Sequence, residues 1–407
     1  MRRSRIRLLY VQPSPLFGGA ERQAAEQASY LTDFGVDVTV MAGPGQPVVD
    51  WLRENHVAKV IRSPHFPGGG SSRLGWRRLI LPFHFVNAGA RVHAEILDVV
   101  RTTPVDVMLA SLPIAWITAT LVARRAGIPI AWRAGGYYIN VAQAAGMWAL
   151  SRFLRPDLLI SNGKAVERTF HRLIPGPAAI LPNGVDTRAF NPRAGDVSRY
   201  RPPSAGTVVG FAGRLASTKR PKDVIELAVR LGRSHPDTRV LIAGDGELRA
   251  TCERLASERG ASNVTFLGYV ADMPSFYAAC DVVVLPSRSE GSSNVIAEAM
   301  ASGKAVVTSD IPPLREQVEP EVNGLVFPVG DVAALTRAVE RLLADPARRR
   351  ALAERALEAA SQNTPRATAE RLSWMLERLV AERDGKRARS AQEGRLENAG
   401  ARASTGH

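Results

Sequence analysis

Residues 279–309 read ACDVVVLPSRSEGSSNVIAEAMASGKAVVTS and parse as strand, loop, helix and strand. The apolar, β-branched run over 281–285 stops at Pro286, as a buried parallel strand does. A loop over 287–291 follows, and Ser292 or Ser293 supplies the N-cap of a helix. A second apolar strand over 305–308 closes the unit. Two carboxylates bracket the helix start: Glu290 lies in the loop, and Glu298 sits about one and a half turns into the helix. A helix N-terminus presents unpaired N–H groups and the positive end of a dipole, so an anion docks there. Carboxylates beside it accept hydrogen bonds from hydroxyls of the same ligand. Phosphate and hydroxyls on one molecule suggest a sugar nucleotide.

At 407 residues the chain is long enough for two domains of ordinary size. Its two cysteines, Cys252 and Cys280, make neither a disulfide framework nor a metal-ligand spacing and read as buried thiols in a reducing compartment. The apolar run over 8–11 is too short for a secretory signal and reads as a first strand. The longest uncharged run, 107–123, contains Ser111, Pro113, Thr118 and Thr120 and suits a strand and a core helix better than a membrane span. The expected location is the cytoplasm.

The formal net charge of +14 is unevenly spread: residues 1–200 hold 24 Lys and Arg against 13 Asp and Glu, and residues 201–407 hold 29 against 26. A basic half suits nucleic acid, an anionic membrane surface or a polyanionic substrate, and an arginine-rich proteome gives the same bias. No zinc-finger or RNA-binding signature accompanies it, so nucleic acid is not expected as a partner. After a Pro- and Gly-rich piece over 63–72 come Arg73, Trp76, Arg77, Arg78, Phe83 and Phe85. Basic residues beside aromatic ones suit peripheral docking on anionic lipid at the inner face of the cell membrane; a loop and an ordinary helix fit the same residues.

The first half alternates strands over 6–11, 36–41, 57–62, 105–110 and 128–132 with helices over 20–34 and 114–126. Such alternation makes a parallel sheet covered on both faces, with ligands at the carboxyl ends of its strands. Between the first strand and helix stand Phe17, Gly18, Gly19, Ala20, Glu21 and Arg22, and the paired glycines let backbone approach a ligand. Residues 193–205, rich in Pro, Gly and Ser, read as a linker. The strand over 207–212 then runs into Gly213-Arg214-Leu215-Ala216-Ser217-Thr218-Lys219-Arg220-Pro221. There Arg214 presents a planar fork and Lys219 a mobile point charge, which together can neutralise a diphosphate. A strand over 240–243 precedes Gly244-Asp245-Gly246-Glu247, and the loop at Tyr269 and Val270 follows another strand, where its backbone can meet a base. Helical spacing returns over 333–344 and 366–382, and the polar tail from 383 reads as disordered.

Glu290 and Glu298, within SEGSSNVIAEAMA, resemble the E-x7-E motif of the retaining glycosyltransferases of family four. The glycine pair with Glu21 resembles that family's G-G-x-E opening; 155–164, 182–190, the Arg214–Lys219 loop, 244–247 and 323–328 resemble further family segments. The resemblance covers about residues 5–380 and is densest over 180–345. It implies an α/β protein of GT-B fold, with two Rossmann-like, doubly wound parallel-sheet domains facing across a cleft. The implied division is an acceptor-binding domain over 1–192, a linker over 193–205, a donor-binding domain over 206–360, a helix over 361–382 crossing back, and a tail over 383–407. Leu372, Trp374, Met375, Leu376 and Leu379 would pack that helix on the first domain. Donor binding is expected at Gly18, Gly19, Arg214, Lys219, Gly244, Tyr269, Val270, Glu290, Ser292, Ser293, Asn294 and Glu298. Arg214, Lys219 and Glu290 are the expected catalytic residues, with Glu290 on the transferred sugar and Glu298 on the ribose.

Breaking the anomeric bond requires stabilising negative charge on the departing phosphate. The sequence has no Asp-x-Asp to hold a metal, so Arg214, Lys219 and the helix dipole are expected to supply that charge without metal or cofactor. The resemblance implies retention of the α configuration. The departure from the family lies in the first domain: Trp132-Arg133-Ala134-Gly135-Gly136 and Ala110-Ser111-Leu112-Pro113 lack the histidines many members carry there. Glu21 and Arg133 are the acceptor-side candidates. The expected activity moves a sugar from a UDP- or GDP-sugar to a saccharide or lipid-linked acceptor in surface polysaccharide or glycolipid synthesis. The alternatives are a nucleotide-sugar-binding partner subunit without efficient transfer, an epimerase or phosphorylase of the same shape, or a basic membrane- or nucleic-acid-binding module.

Overall fold

The computed structural model describes residues 5–12, 19–44, 46–54, 57, 59–66, 81–136 and 141–404. The first domain contains β1 (Ile6–Gln12), β2 (Val36–Ala42), β3 (Lys59–Arg62), β4 (Val107–Ser111), β5 (Ile130–Ala134), β6 (Leu158–Ser161) and β7 (Ala178–Ile180). Its helices are α1 (Gly19–Leu31), α2 (Gln46–Glu54), α3 (Leu81–Thr102), α4 (Pro113–Ala126), α5 (Val141–Phe153) and α6 (Lys164–Leu173). The second domain has β8 (Thr207–Ala212), β9 (Thr238–Ala243), β10 (Val264–Gly268), β11 (Val282–Leu285), β12 (Ala305–Ser309) and β13 (Leu325–Phe327). Around them lie α7 (Pro221–Ser234), α8 (Arg249–Glu258), α9 (Met273–Ala279), α10 (Asn294–Ala301), α11 (Pro312–Arg315), α12 (Val332–Ala344) and α13 (Pro346–Ser361), and α14 (Pro365–Ser404) ends the described chain.

Both sheets are parallel, in the orders β3-β2-β1-β4-β5-β6-β7 and β10-β9-β8-β11-β12-β13. Each order reverses once, between β1 and β4 and between β8 and β11, and a crevice opens at the carboxyl ends of strands at such a reversal. Alternation along the strands divides the first core in two: Leu8, Tyr10, Leu109 and Ala131 face α1 and α14, while Leu9, Val11, Met108 and Trp132 face the other layer. In that second layer the rings of Trp116 and Trp132 stack 5.1 Å apart. The strands of 279–309 are buried along their whole length, as their unbroken apolar runs require. Both cysteines are buried and unbridged, and burial pushes the Cys280 thiol up to about 12.

The chain changes domain upstream of the stretch read as a linker. Leu181 belongs to the first core, whereas Val185 and Phe190 belong to the second. Residues 193–205 are held to the second domain by Arg199–Asp272 at 2.8 Å and Arg201–Asp281 at 3.0 Å. The return passage lies between Ala360, in the second core, and Ala369, in the first. The two passages run side by side: the Val185 N–H donates to the Asn363 carbonyl at 2.8 Å. Gln23 of α1 grips the same place, donating to the Gly184 carbonyl at 2.6 Å and accepting from its N–H at 2.9 Å.

Other expectations shift. Helix α2 falls where no helix was read, α3 runs as the ordinary helix offered for the stretch after residue 72 and continues to Thr102, and β5 extends to Ala134, so Arg133 is a strand residue. Helix α14 runs on to Ser404 through the stretch expected to be disordered; Ala, Arg and Glu dominate that stretch and are strong helix formers. Arg73, Trp76, Arg77 and Arg78 lie outside the described residues, as do the side chains of Phe83 and Phe85. Among the described residues no helix is long and apolar enough to cross a membrane.

Helix α14 crosses back as expected, burying Leu372, Leu376 and Leu379 on the first domain with Met375 at their edge. Trp374 is a correction: it is 56% exposed, with Arg378 over its ring at 5.0 Å. At 3.6 residues per turn it lies away from the face that Leu372, Leu376 and Leu379 share. Leu376→Ala should therefore cost about 2–5 kcal/mol of stability, whereas Trp374→Ala should stay within about 0.5 kcal/mol. Denaturant unfolding of the two variants measures this difference.

Candidate active site

Three second-domain loops meet at the carboxyl ends of β8, β9 and β11. Leu215 and Ala216 are buried and anchor the first loop; the Leu215 N–H donates to the Asp245 carbonyl at 2.8 Å. A Cβ on Gly244, at φ +139°, would stand 2.0 Å from the Gly213 carbonyl oxygen, so this crossing requires glycine. The Arg288 N–H donates to the Thr218 carbonyl at 2.9 Å and ties the first loop to the one carrying Glu290. Between them Lys219 Nζ meets the buried Glu290 Oε1 at 2.5 Å. Arg214 is exposed beside this pair and makes no ion pair with a described residue.

Ser293 is the N-cap of α10, accepting from the Ile296 N–H at 3.3 Å. Its own N–H donates to Gln317 Oε1 at 2.8 Å. The Ser292 carbonyl and Asn294 Oδ1 both accept from Asn183 Nδ2, at 3.3 and 2.8 Å, which ties the start of α10 to the passage between domains. Val270 is buried in the second core, and Tyr269 is exposed. Gly18 and the Glu21 side chain lie outside the described residues; Gly19 opens α1.

Glu298, on α10, is largely shielded from solvent and accepts from the Tyr277 hydroxyl at 3.0 Å. Arg22, from α1 of the first domain, reaches it at 3.5 Å, holds Glu26 at 2.8 Å and lies over the Phe190 ring at 5.4 Å. Burial pushes the Glu298 carboxyl up to about 7, although Arg22 and Tyr277 both pull it down. Burial raises Glu26 as well. The sequence reading did not single out Arg22 or Tyr277. Arg22 stood within the glycine-rich opening, but its partner lies 276 residues away, and no spacing rule reaches that far.

The domains touch at several further points. Glu316 accepts from the Lys164 and Ala165 N–H groups, each at 2.6 Å, and so caps α6 of the first domain with a charge that the helix dipole favours. A Cβ on Gly291 would lie 1.7 Å from the Gly135 carbonyl oxygen. A cavity of about 600 Å³ lies near the interdomain passages, lined in part by Asn162, Lys164, Asn183, Gln317 and Asn363; Lys219, Glu290 and Glu298 are not among its walls. On the first-domain side Leu112 follows β4 at φ 70°, ψ 148°, a conformation nearly confined to glycine. No cluster of three metal-ligating side chains occurs among the described residues.

Two doubly wound parallel sheets facing one another, with a basic loop and two carboxylates at the second reversal point, define a GT-B glycosyltransferase fold. The profile described as Glycosyl transferases group 1 matches residues 197–359, and that of Glycosyltransferase Family 4 matches 17–189. The chain belongs to this family of glycosyltransferases. It is 29% identical over 343 residues to the lipopolysaccharide core biosynthesis glycosyltransferase LpsE of Rhizobium meliloti, covering 84% of this chain and 90% of that one. It is 29% identical over 351 residues to a GDP-mannose-dependent alpha-mannosyltransferase of Mycolicibacterium smegmatis, covering 81% and 86%. Among solved structures it is similar to Anabaena HepE in complex with UDP and glucose, with a TM-score of 0.76 at 21% identity over 91% of this chain and 99% of that one. At that identity the likeness is one of fold.

The raised Glu298 carboxyl has a consequence for stability. Its folded value of about 7 lies above the ordinary 4.5, so the unfolded chain releases the proton first as pH rises. The cost of burying the charge is absent below about 4.5, grows between the two values and is complete above about 7. Between pH 5 and 8 the protein should lose roughly 2–3 kcal/mol relative to Glu298→Gln. Denaturation midpoints of both proteins across that range provide the check.

Proposed function

We propose that this glycosyltransferase moves a sugar from a nucleotide-sugar donor to a saccharide or lipid-linked saccharide, with retention and without metal. The observation that carries the reading is the Lys219–Glu290 contact at 2.5 Å near the exposed Arg214, which has no ion-pair partner among the described residues, at the crevice of the second sheet. A buried carboxylate left without its cation is costly, so Lys219 stays on Glu290 until a ligand arrives. A diphosphate entering beside Arg214 takes over part of the Lys219 charge. Glu290 then has free lone pairs for hydroxyls of the transferred sugar.

As the bond to the anomeric carbon breaks, negative charge grows on the leaving phosphate. The loop that carries Arg214 and Lys219 is anchored by the buried Leu215 and Ala216, so both cations stay close to the point where the charge appears. Glu298 accepts ribose hydroxyls in this reading. Such donors favour its ionised form, so donor binding and Glu298 ionisation are linked. The absence of Asp-x-Asp in the sequence supports metal-independent departure. The names of the LpsE and mannosyltransferase relatives support a place in polysaccharide or glycolipid synthesis.

A second reading, a donor-binding subunit that transfers poorly, is favoured by one feature: Arg133 stands where many family members carry histidine. A screen of nucleotide sugars in EDTA, following nucleoside diphosphate release and thermal stabilisation together, separates the two. One donor should give both signals, with release falling at least about 100-fold in Lys219→Ala and stabilisation lost in Glu298→Ala. Stabilisation without release, with acceptors supplied, would favour the second reading. No response to any donor would overturn both.

A further inference from the structure

A polar cluster lies on the first domain's side of the cleft, on the sheet face beneath α1. Tyr10 and Gln12 on β1, Ser111 on β4 and Arg133 on β5 share that face because strand side chains alternate, and Ser111 and Arg133 are register partners. Gln27 reaches down from α1 and accepts from the Arg133 guanidinium. The Tyr10 hydroxyl and Ser111 hydroxyl lie 3.2 Å apart. Gln12 and Gln27 are 4% and 0% exposed, yet Gln12 Oε1 and Gln27 Nε2 have no hydrogen-bond partner among the described residues. Among the described residues Arg133 makes no ion pair, and the partner of its guanidinium is a neutral amide.

Buried polar atoms in a folded protein are nearly always paired, and a half-buried guanidinium is ordinarily matched by an anion. Here an acceptor, a donor and a cation go unmatched together, at the reversal point between β1 and β4 where a ligand crevice opens. The cluster lies close to the chemistry along the chain: Gly135, two residues past Arg133, abuts Gly291, the neighbour of Glu290. A core serving only stability would close with apolar side chains, as the opposite face of the same strands does.

We propose that Arg133, with the Gln12 and Gln27 amides, forms a subsite for an anionic oxygen group, a carboxylate or phosphate, carried by one of the two sugar substrates. The inference rests on the transferase reading above and narrows its substrate class. The guanidinium pairs two oxygens of the anion, Gln27 Nε2 donates to the same group or a neighbouring hydroxyl, and Gln12 Oε1 accepts from a hydroxyl. The anion sits on the donor as a uronate, or on the acceptor as an acidic or phosphorylated sugar.

Calorimetry on the full chain tests this in two arms, with UDP or GDP binding as the control that each variant is folded. The donor arm compares UDP-glucuronate with UDP-glucose, or GDP-mannuronate with GDP-mannose. The acceptor arm titrates nucleoside diphosphate-saturated protein with glucuronate, glucose 6-phosphate and glucose. In one arm the anionic probe should bind at least about 10-fold tighter than its neutral counterpart. That gap should close in Arg133→Gln and be partly restored in Arg133→Lys. No gap in either arm, or a gap unchanged in Arg133→Gln, would overturn the subsite and leave the transferase reading standing. Failure of both UDP and GDP to bind wild-type protein would overturn the donor reading, and this inference with it.

Discussion

The buried carboxylate of Glu290 and the cation on it, Lys219, set the terms for the second domain. A buried carboxylate without a partner is costly, so Glu290 holds its place only with a cation beside it. Their contact needs two loops from different strands, β8 and β11, to end side by side, and these strands pair where the strand order reverses. The backbone link from Arg288 to Thr218 and the glycine crossing at Gly244 keep those loops in register. The pair thus belongs to the topology as much as to the two side chains.

The second constraint is the joint between domains. Two chain passages lie against each other, Val185 on Asn363, with Gln23 clasping Gly184 beside them. Asn183 extends that joint to the N-terminus of α10, and Glu316 caps α6 from across the interface. Movement of one domain on the other would therefore be felt at the helix that carries Glu298. Arg22 adds a charged link at the same helix, from the first domain to Glu298 itself.

Much of this was legible in the sequence because its cause is local. Apolar runs of four to seven residues mark the strands, Ser293 caps its helix as a serine in that position should, and Glu290 and Lys219 stand in short recognisable segments. What was not legible depends on rotation or distance. Trp374 carries an apolar side chain, but its angular position on α14 turns it to solvent. Arg133 was read past the end of its strand, and two more paired residues put its side chain under α1 instead of in a loop. The contacts of Arg22 with Glu298 and of Glu316 with α6 join residues far apart in the chain, and the fold alone brings them together.

A crystal structure of the protein with a bound nucleoside diphosphate would test the central claim most directly. The account requires the terminal phosphate within hydrogen-bond reach of Arg214 and Lys219, Lys219 drawn toward it from Glu290, and the ribose hydroxyls on Glu298. A nucleotide lodged instead in the cavity near the interdomain passages, with Lys219 and Glu290 still paired and undisturbed, would contradict it.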